Sequence, residues 1–409
     1  MGKTLIVIGA SYAGVQLAVS AREQGFGGRI LLIGEEPHIP YQRPPLSKAF
    51  LLGDVDSKSP QLRSEAFFAE EKIELLLSTR VVKLDRDNRQ VLLESGEKLA
   101  YDFVGLTTGA RCRELNCVGA ALGGIHYLRN LADATRLRTA TKTARRAVIV
   151  GGGFIGLEVA ASLRSAGLQV TLIETEPRLL SRVSPPLISD FVRDVHAAHG
   201  VQFRMGRRVT GVRGQSGVVE AVELDDGSSV DCDMLVVGIG VIPNVEIALE
   251  SGLAVNNGVV VDIHGRSSDE HIFAAGDCAA YPNPWAYPQG SAIRLESVQS
   301  ANDLARAAGA SITGKTEPYR NVPWFWSDQY DLKFQMAGLV AQWDEFIVRG
   351  TFEKKSFSVF YFRTGLLIAV DSINRPQDHM LARKLLGAGI SPAPDQIRDE
   401  QADLKKLLA

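Results

Sequence analysis

The chain has 409 residues, 45 Lys and Arg against 47 Asp and Glu, a formal net charge of -2, 45% apolar residues and four cysteines. A chain of this length buries a large core in one to three domains, so it needs no disulfide framework. Near-neutral charge excludes nucleic-acid binding driven by bulk charge, and the lack of any apolar run of about 18 residues excludes membrane insertion by a spanning helix.

The apolar run Leu5 to Ala10 could pass for part of a secretory leader, but residues 4–9 read as a buried strand, because a glycine turn and a helix follow before a second strand, Ile30 to Ile33. With so few cysteines, a cytoplasmic location is expected. In the turn Gly9-Ala10-Ser11-Tyr12-Ala13-Gly14, Gly9 permits the strand-to-helix bend and Gly14 permits close helix packing. The helix N-terminus can then hold a diphosphate. Ser11 stands where the usual pattern has its middle glycine, which weakens the motif without removing it. Glu35, just past the second strand, is placed to accept adenosine ribose hydroxyls, with Glu36 as the register alternative. A helix near 60–71, short strands over 74–94 and the strand Phe103 to Thr107 follow, then a basic segment from Arg136 to Arg146.

The order strand, glycine turn, helix, strand recurs over 147–174. Here Gly151-Gly152-Gly153-Phe154-Ile155-Gly156 has the full glycine pattern, and Glu174 ends the next strand. A carboxylate there accepts from a free 2′-OH and repels a 2′-phosphate, favouring NADH over NADPH, although Arg178 pulls the other way. A glycine turn also occurs in α/β domains that hold no nucleotide. Two such units, each ending in a carboxylate, point instead to two dinucleotides and to transfer between a nicotinamide and a flavin. A helix is expected over 186–199, strands over 201–232 and 235–239, then a strand ending at Gly276-Asp277, where Asp277 is either a helix cap or a ligand of the first dinucleotide. A helix over 295–308 and a linker over 309–322 lead to strands near 323–340, 345–351, 356–362 and 366–371 and helices at 378–387 and 398–408.

At these residues the chain resembles the two-dinucleotide flavoproteins, and among them the FAD-dependent ferredoxin reductases serving bacterial aromatic-ring dioxygenases and cytochrome P450 systems. The marks are Gly9 to Gly14, Pro40-Tyr41-Gln42-Arg43-Pro44-Pro45-Leu46-Ser47-Lys48, Thr107-Thr108-Gly109-Ala110-Arg111, Gly151 to Glu158, and Ala274-Ala275-Gly276-Asp277. The resemblance implies an α/β fold of two Rossmann-like domains plus a C-terminal α+β domain, with glutathione-reductase-like architecture. Residues 1–110 and 235–310 would form a discontinuous FAD domain, 111–234 an NADH domain and 320–409 a C-terminal interface domain.

The resemblance also places Ala13, Glu35, Arg43, Lys48, Val81, Arg129, Asp277 and Val298 around FAD, with Pro45 as an apolar wall to the flavin. Gly151, Gly153, Ile155, Gly156, Glu174 and Arg178 would serve NADH, and Glu158 would approach the nicotinamide and pair with Lys48. By position alone, Glu158 also fits a carboxylate favoured by the start of its helix, and Lys48 fits a solvated lysine. The implied activity moves a hydride from NADH to FAD and then single electrons to a [2Fe-2S] ferredoxin, which supplies a terminal oxygenase or cytochrome P450. Trp324 and Trp326 fit either a wall near the flavin or a hydrophobic core. The rival readings are a rubredoxin reductase or NADH oxidase of the same fold, and a non-catalytic sensor of FAD and NADH.

Cys112 and Cys117 have the spacing of a disulfide-reductase pair, yet in such enzymes the pair resembles a segment soon after the first ribose carboxylate, and residues 41–48 contain no cysteine. Seven scattered histidines without a Cys/His cluster suggest neither zinc nor a bound iron–sulfur centre. His196 and His199 fit a solvated helix face better than a proton relay.

Overall fold

A computed structural model of the chain describes residues 2–53, 60–316 and 318–408. The first sheet is fully parallel, with strands in the order Ile272–Ala274, Phe103–Leu106, Thr4–Ile8, Arg29–Ile33 and Ile73–Leu76. Leu5, Ile6 and Val7 are fully buried, as strands covered on both faces require. Two helices, Tyr12–Glu23 and Val298–Ile312, pack closely through small residues; a Cβ added at Gly309 would fall 2.7 Å from the Ser20 Cβ. The second helix runs four residues beyond its expected end, so the linker begins after Ile312. The helix expected over 60–71 is confined to Glu65–Glu70, because residues 60–62 pair with 40–42 and Ser64 caps the helix start.

The second sheet repeats the parallel design in the order Val201–Met205, Gln169–Glu174, Arg146–Val150, Met234–Val237 and Ile125–Tyr127. Met234–Val237 pairs beside Arg146–Val150, so residues 235–237 sit in this sheet rather than with the first unit, a correction of the expected boundary at 235. The crossing between units is a two-stranded antiparallel ribbon, Ala110–Cys112 with Val241–Pro243. A helix at Leu131–Thr141, not expected from the basic composition of this stretch, starts with a capping box between Asn130 and Asp133.

The C-terminal unit is a five-stranded antiparallel sheet in the order Trp324–Gln329, Leu332–Gly338, Leu366–Ile373, Ser356–Arg363 and Glu345–Thr351, with the helix Pro376–Ala388 against it. The single helix expected over 398–408 is instead a short helix, Pro394–Arg398, and a 3-10 turn, Leu404–Leu408. Buried Arg349 donates to the carbonyls of Ile397, Asp399, Glu400 and Ala402, which a continuous helix would use internally. The architecture is two Rossmann-like units plus a C-terminal α+β unit. Among the described residues, no helix is long and apolar enough to cross a membrane.

Candidate active site

The first glycine turn is shaped by close backbone approach. Gly9 has φ +113°, and a Cβ there would fall 2.1 Å from the Thr107 carbonyl oxygen; at Gly14 it would fall 1.9 Å from the Gly9 oxygen. Only glycine satisfies both positions. Ser11 occupies the N-cap of Tyr12–Glu23 but makes no capping bond, and its Oγ accepts from Arg43 Nε at 3.2 Å. Arg43 also donates to the Arg129 carbonyl at 2.7 Å, and Arg129 pairs with Asp277 at 2.7 Å. Burial works against the charge on Arg129, yet Asp277 holds its pKa above the ordinary arginine value. Ala13 touches the same corner: a Cβ at Gly276 would lie 2.9 Å from its own Cβ.

Two guanidinium groups therefore stand beside a helix start whose first N–H groups have no intrahelical acceptors, which fits a dinucleotide diphosphate. Glu35 is 71% exposed and lies 3.5 Å from Arg80, whereas Glu36 is engaged by both Arg43 and Tyr41. Of the two registers, Glu35 keeps its oxygens open to a ribose. Val81 is buried at the start of Val81–Asp85, and Val298 is half-buried at the first position of Val298–Ile312.

The second turn has the same constraint: a Cβ at Gly151 would fall 2.3 Å from the Gly238 oxygen, and at Gly156 2.0 Å from the Gly151 oxygen. Gly153, by contrast, faces open space, and Ile155 is half exposed beside it. Glu174 accepts from the Gly152 N–H at 2.6 Å and from the Glu176 N–H at 2.9 Å, so it braces the turn from the strand end. Arg178 lies in the following loop, where it donates to Ser181, Ser184 and Ser189.

Between the cradles lies the feature that joins them. The helix Phe154–Ser165 carries Phe154, Glu158 and Ser162 one turn apart on a single stripe. Phe154 meets Phe325 with ring centroids 5.1 Å apart, and Ser162 Oγ donates to the Ser47 carbonyl at 2.7 Å. Glu158 is only 3% exposed; its Oε2 accepts from Lys48 Nζ at 2.7 Å and from Ser47 Oγ at 2.5 Å, and its Oε1 accepts from Ser327 Oγ at 2.7 Å. These partners come from the other two units of the fold rather than from the helix's own N–H groups. The 3-10 turn Pro44–Ser47, with Pro45 accepting from the Lys48 N–H, aims the lysine at this carboxylate.

Sequence reasoning paired Lys48 with Glu158 but missed Ser327, Gln329 and the role of Ser47. The available signal was the alternation in Trp324–Gln329, which turns Phe325, Ser327 and Gln329 to one face, the last two fully buried. Trp324 and Trp326 are half-buried on the other face with rings 5.5 Å apart, and Arg383 lies over Trp324. Cys112 and Cys117 are free, and burial pushes both thiols above their ordinary pKa. His196 is buried rather than solvated.

Residues 3–305 match the pyridine nucleotide-disulphide oxidoreductase family and residues 324–408 the reductase C-terminal family. The chain is 44% identical over 406 residues to rhodocoxin reductase of Rhodococcus erythropolis, covering 99% of this chain and 94% of that protein. It is similar to the crystal structure of the ferredoxin reductase for the CYP199A2 system from Rhodopseudomonas palustris, with 43% identity, TM-score 0.96 and full coverage of both chains. The covalent putidaredoxin reductase–putidaredoxin complex matches with 38% identity and TM-score 0.95, covering 99% of this chain and 98% of that one. With its paired cradles and its C-terminal domain, the chain belongs to the pyridine nucleotide-disulphide oxidoreductases, in the group of FAD-dependent ferredoxin, putidaredoxin and rubredoxin reductases of bacterial oxygenase and P450 electron transfer.

Proposed function

We propose that the chain is an NADH:ferredoxin oxidoreductase supplying a [2Fe-2S] ferredoxin, and through it an aromatic-ring dioxygenase or a cytochrome P450, in the cytoplasm. The carrying observation is the buried Lys48–Glu158 pair set between two dinucleotide cradles. When bound, NADH supplies a hydride and FAD accepts it, releasing the two electrons one at a time. In this reading Ser11, Ala13, Arg43, Arg129 and Asp277 hold the FAD diphosphate and polyol, and Glu35 holds its ribose. Gly153 and Ile155 admit NADH, whose ribose Glu174 receives. Lys48 places positive charge where negative charge develops, and Glu158 fixes the ammonium from the NADH side. Ser47 and Ser327 hold the carboxylate still. The names of the similar ferredoxin reductase and of the putidaredoxin complex support an iron–sulfur protein as acceptor.

An anaerobic titration tests this directly. NADH bleaches the yellow protein, and oxidised [2Fe-2S] ferredoxin restores the colour. Bleaching that no such ferredoxin reverses would reject the partner; absence of bleaching would reject the enzyme.

A further inference from the structure

Behind the Lys48–Glu158 pair runs a line of polar side chains that the proposed chemistry does not itself use. Ser327 Oγ donates to Glu158 Oε1 at 2.7 Å and accepts from Gln329 Nε2 at 3.2 Å, and Gln329 Oε1 lies 2.9 Å from His196 Nε2. Ser327, Gln329 and His196 are all 0% exposed, so bulk water cannot replace any link. The line starts on Phe154–Ser165, passes through Trp324–Gln329 in the C-terminal unit and ends on the helix Pro186–Ala198.

The carboxylate sets the direction of each bond. A carboxylate only accepts, so the Ser327 proton points at Glu158 and the Ser327 lone pair takes an amide proton from Gln329. That choice turns the Gln329 carbonyl toward His196, which must then carry its proton on Nε2. His196 Nδ1 is buried without a partner, and in this tautomer it is an unfilled acceptor rather than a stranded N–H donor. Burial lowers the His196 pKa to about 4, keeping the ring neutral near neutral pH. Tyr330 closes the far side, edge-on to His196 at 5.0 Å and stacked on His199 at 3.8 Å.

We infer that His196 is a positioning residue for Glu158, acting through Gln329 and Ser327. Without the His196 donor, the Gln329 amide can turn its carbonyl toward Ser327, whose single hydroxyl proton is then shared between two acceptors, and Glu158 loses part of one of the three donors that aim it. The inference rests on the reductase reading, and stopped-flow reduction of the FAD-bound enzyme by saturating NADH separates the two. Ser327→Ala should slow flavin reduction by about tenfold, the scale of one buried hydrogen bond to a charged group, and His196→Leu, which removes a neutral bond to Gln329, by about fivefold. His196→Gln, whose amide can donate from a similar place, should recover most of the rate. In a Glu158→Gln background, Ser327→Ala and His196→Leu should add less than about twofold, because their target is already altered.

Rates within about twofold of wild type, a Gln variant no faster than the Leu variant, or the full loss of either variant added to Glu158→Gln would each overturn the inference. If His196→Leu fails to fold, Ser327→Ala and His196→Gln still decide it. Wild-type flavin that NADH does not reduce would overturn both readings, whereas wild-type reduction with unaffected variants would overturn this one alone.

Discussion

Asp371 gives the C-terminal unit a pH dependence whose size can be worked from its surroundings. It lies on Leu366–Ile373, 2% exposed, and accepts from Tyr361 Oη at 2.8 Å. Burial pushes its carboxyl pKa from 3.8 up to about 7, and the same burial with Asp371 alongside drives the Tyr361 pKa upward. The folded state therefore binds one more proton than the unfolded state between those two values, so stability falls as pH rises through the interval. At about 1.4 kcal/mol per pKa unit, the loss is about half a kcal/mol at pH 4, about 3 at pH 6 and about 4 at pH 8, where it levels off. Asp371→Asn removes the titration, and its advantage over wild type should grow by these amounts. Urea unfolding followed by tryptophan fluorescence reports on this unit, because Trp324, Trp326 and Trp343 lie in it and only Trp285 lies outside. Subtracting the variant from wild type cancels the protein's other titrations. A difference that stays flat from pH 5 to 8 would refute the reasoning.

Glu174→Ala should weaken NADH binding by about tenfold while leaving FAD content unchanged, because the ribose and the Gly152 N–H lose one acceptor; unchanged NADH affinity by equilibrium titration rejects the ribose role. Arg129→Ala strips Asp277 of its cation, so gel-filtered protein should carry less flavin than wild type, and full retention would count against a diphosphate contact. The double change Cys112→Ser and Cys117→Ser should leave NADH-driven bleaching within about twofold of wild type, since thiols raised by burial are poor nucleophiles; a large loss in stopped-flow rate would reveal a redox role.

The cradles were legible because their chemistry is local. Gly9 turns with φ +113° and Gly14 packs on the Gly9 oxygen within one strand, one turn and one helix, so the pattern survives in the order of the letters even though Gly9 also abuts Thr107 of a distant strand. The support around Glu158 was not legible: Ser47, Ser327 and His196 lie far from Glu158 and from one another in the chain, and a serine in an aromatic strand looks like surface until the strand is docked. Helix ends failed for a related reason. Residues 60–62 were drawn into pairing with 40–42, and the C-terminal helix broke where Arg349, some fifty residues upstream, claimed its carbonyls. Local propensity yields when a distant group competes for the same backbone atoms. The shift of the domain crossing past Val237 shows the same limit, since an apolar strand does not name the sheet that will receive it.

The matched family takes its name from disulphide chemistry, and this chain departs from it at the position that matters. Where a thiol pair would follow the first ribose carboxylate, the segment is Pro44-Pro45-Leu46-Ser47-Lys48, and it ends in an ammonium held by a buried carboxylate. An ammonium can stabilise negative charge but cannot store electrons, so the polypeptide beside the flavin offers no relay of the dithiol kind. The free cysteines at 112 and 117 lie outside that segment, on and after the ribbon Ala110–Cys112, and burial raises the pKa of both thiols. An acceptor must then bring its own redox centre close to the flavin. The half-buried Trp324 and Trp326 lie on the same strand as Ser327 and Gln329, whose buried side chains reach Glu158 from the opposite face. One strand therefore meets the helix Pro376–Ala388 through Trp324 on one face and the charge pair through Ser327 on the other. The C-terminal sheet thus supplies a donor to the buried charge pair that neither cradle carries, which gives a physical reason for it to accompany them.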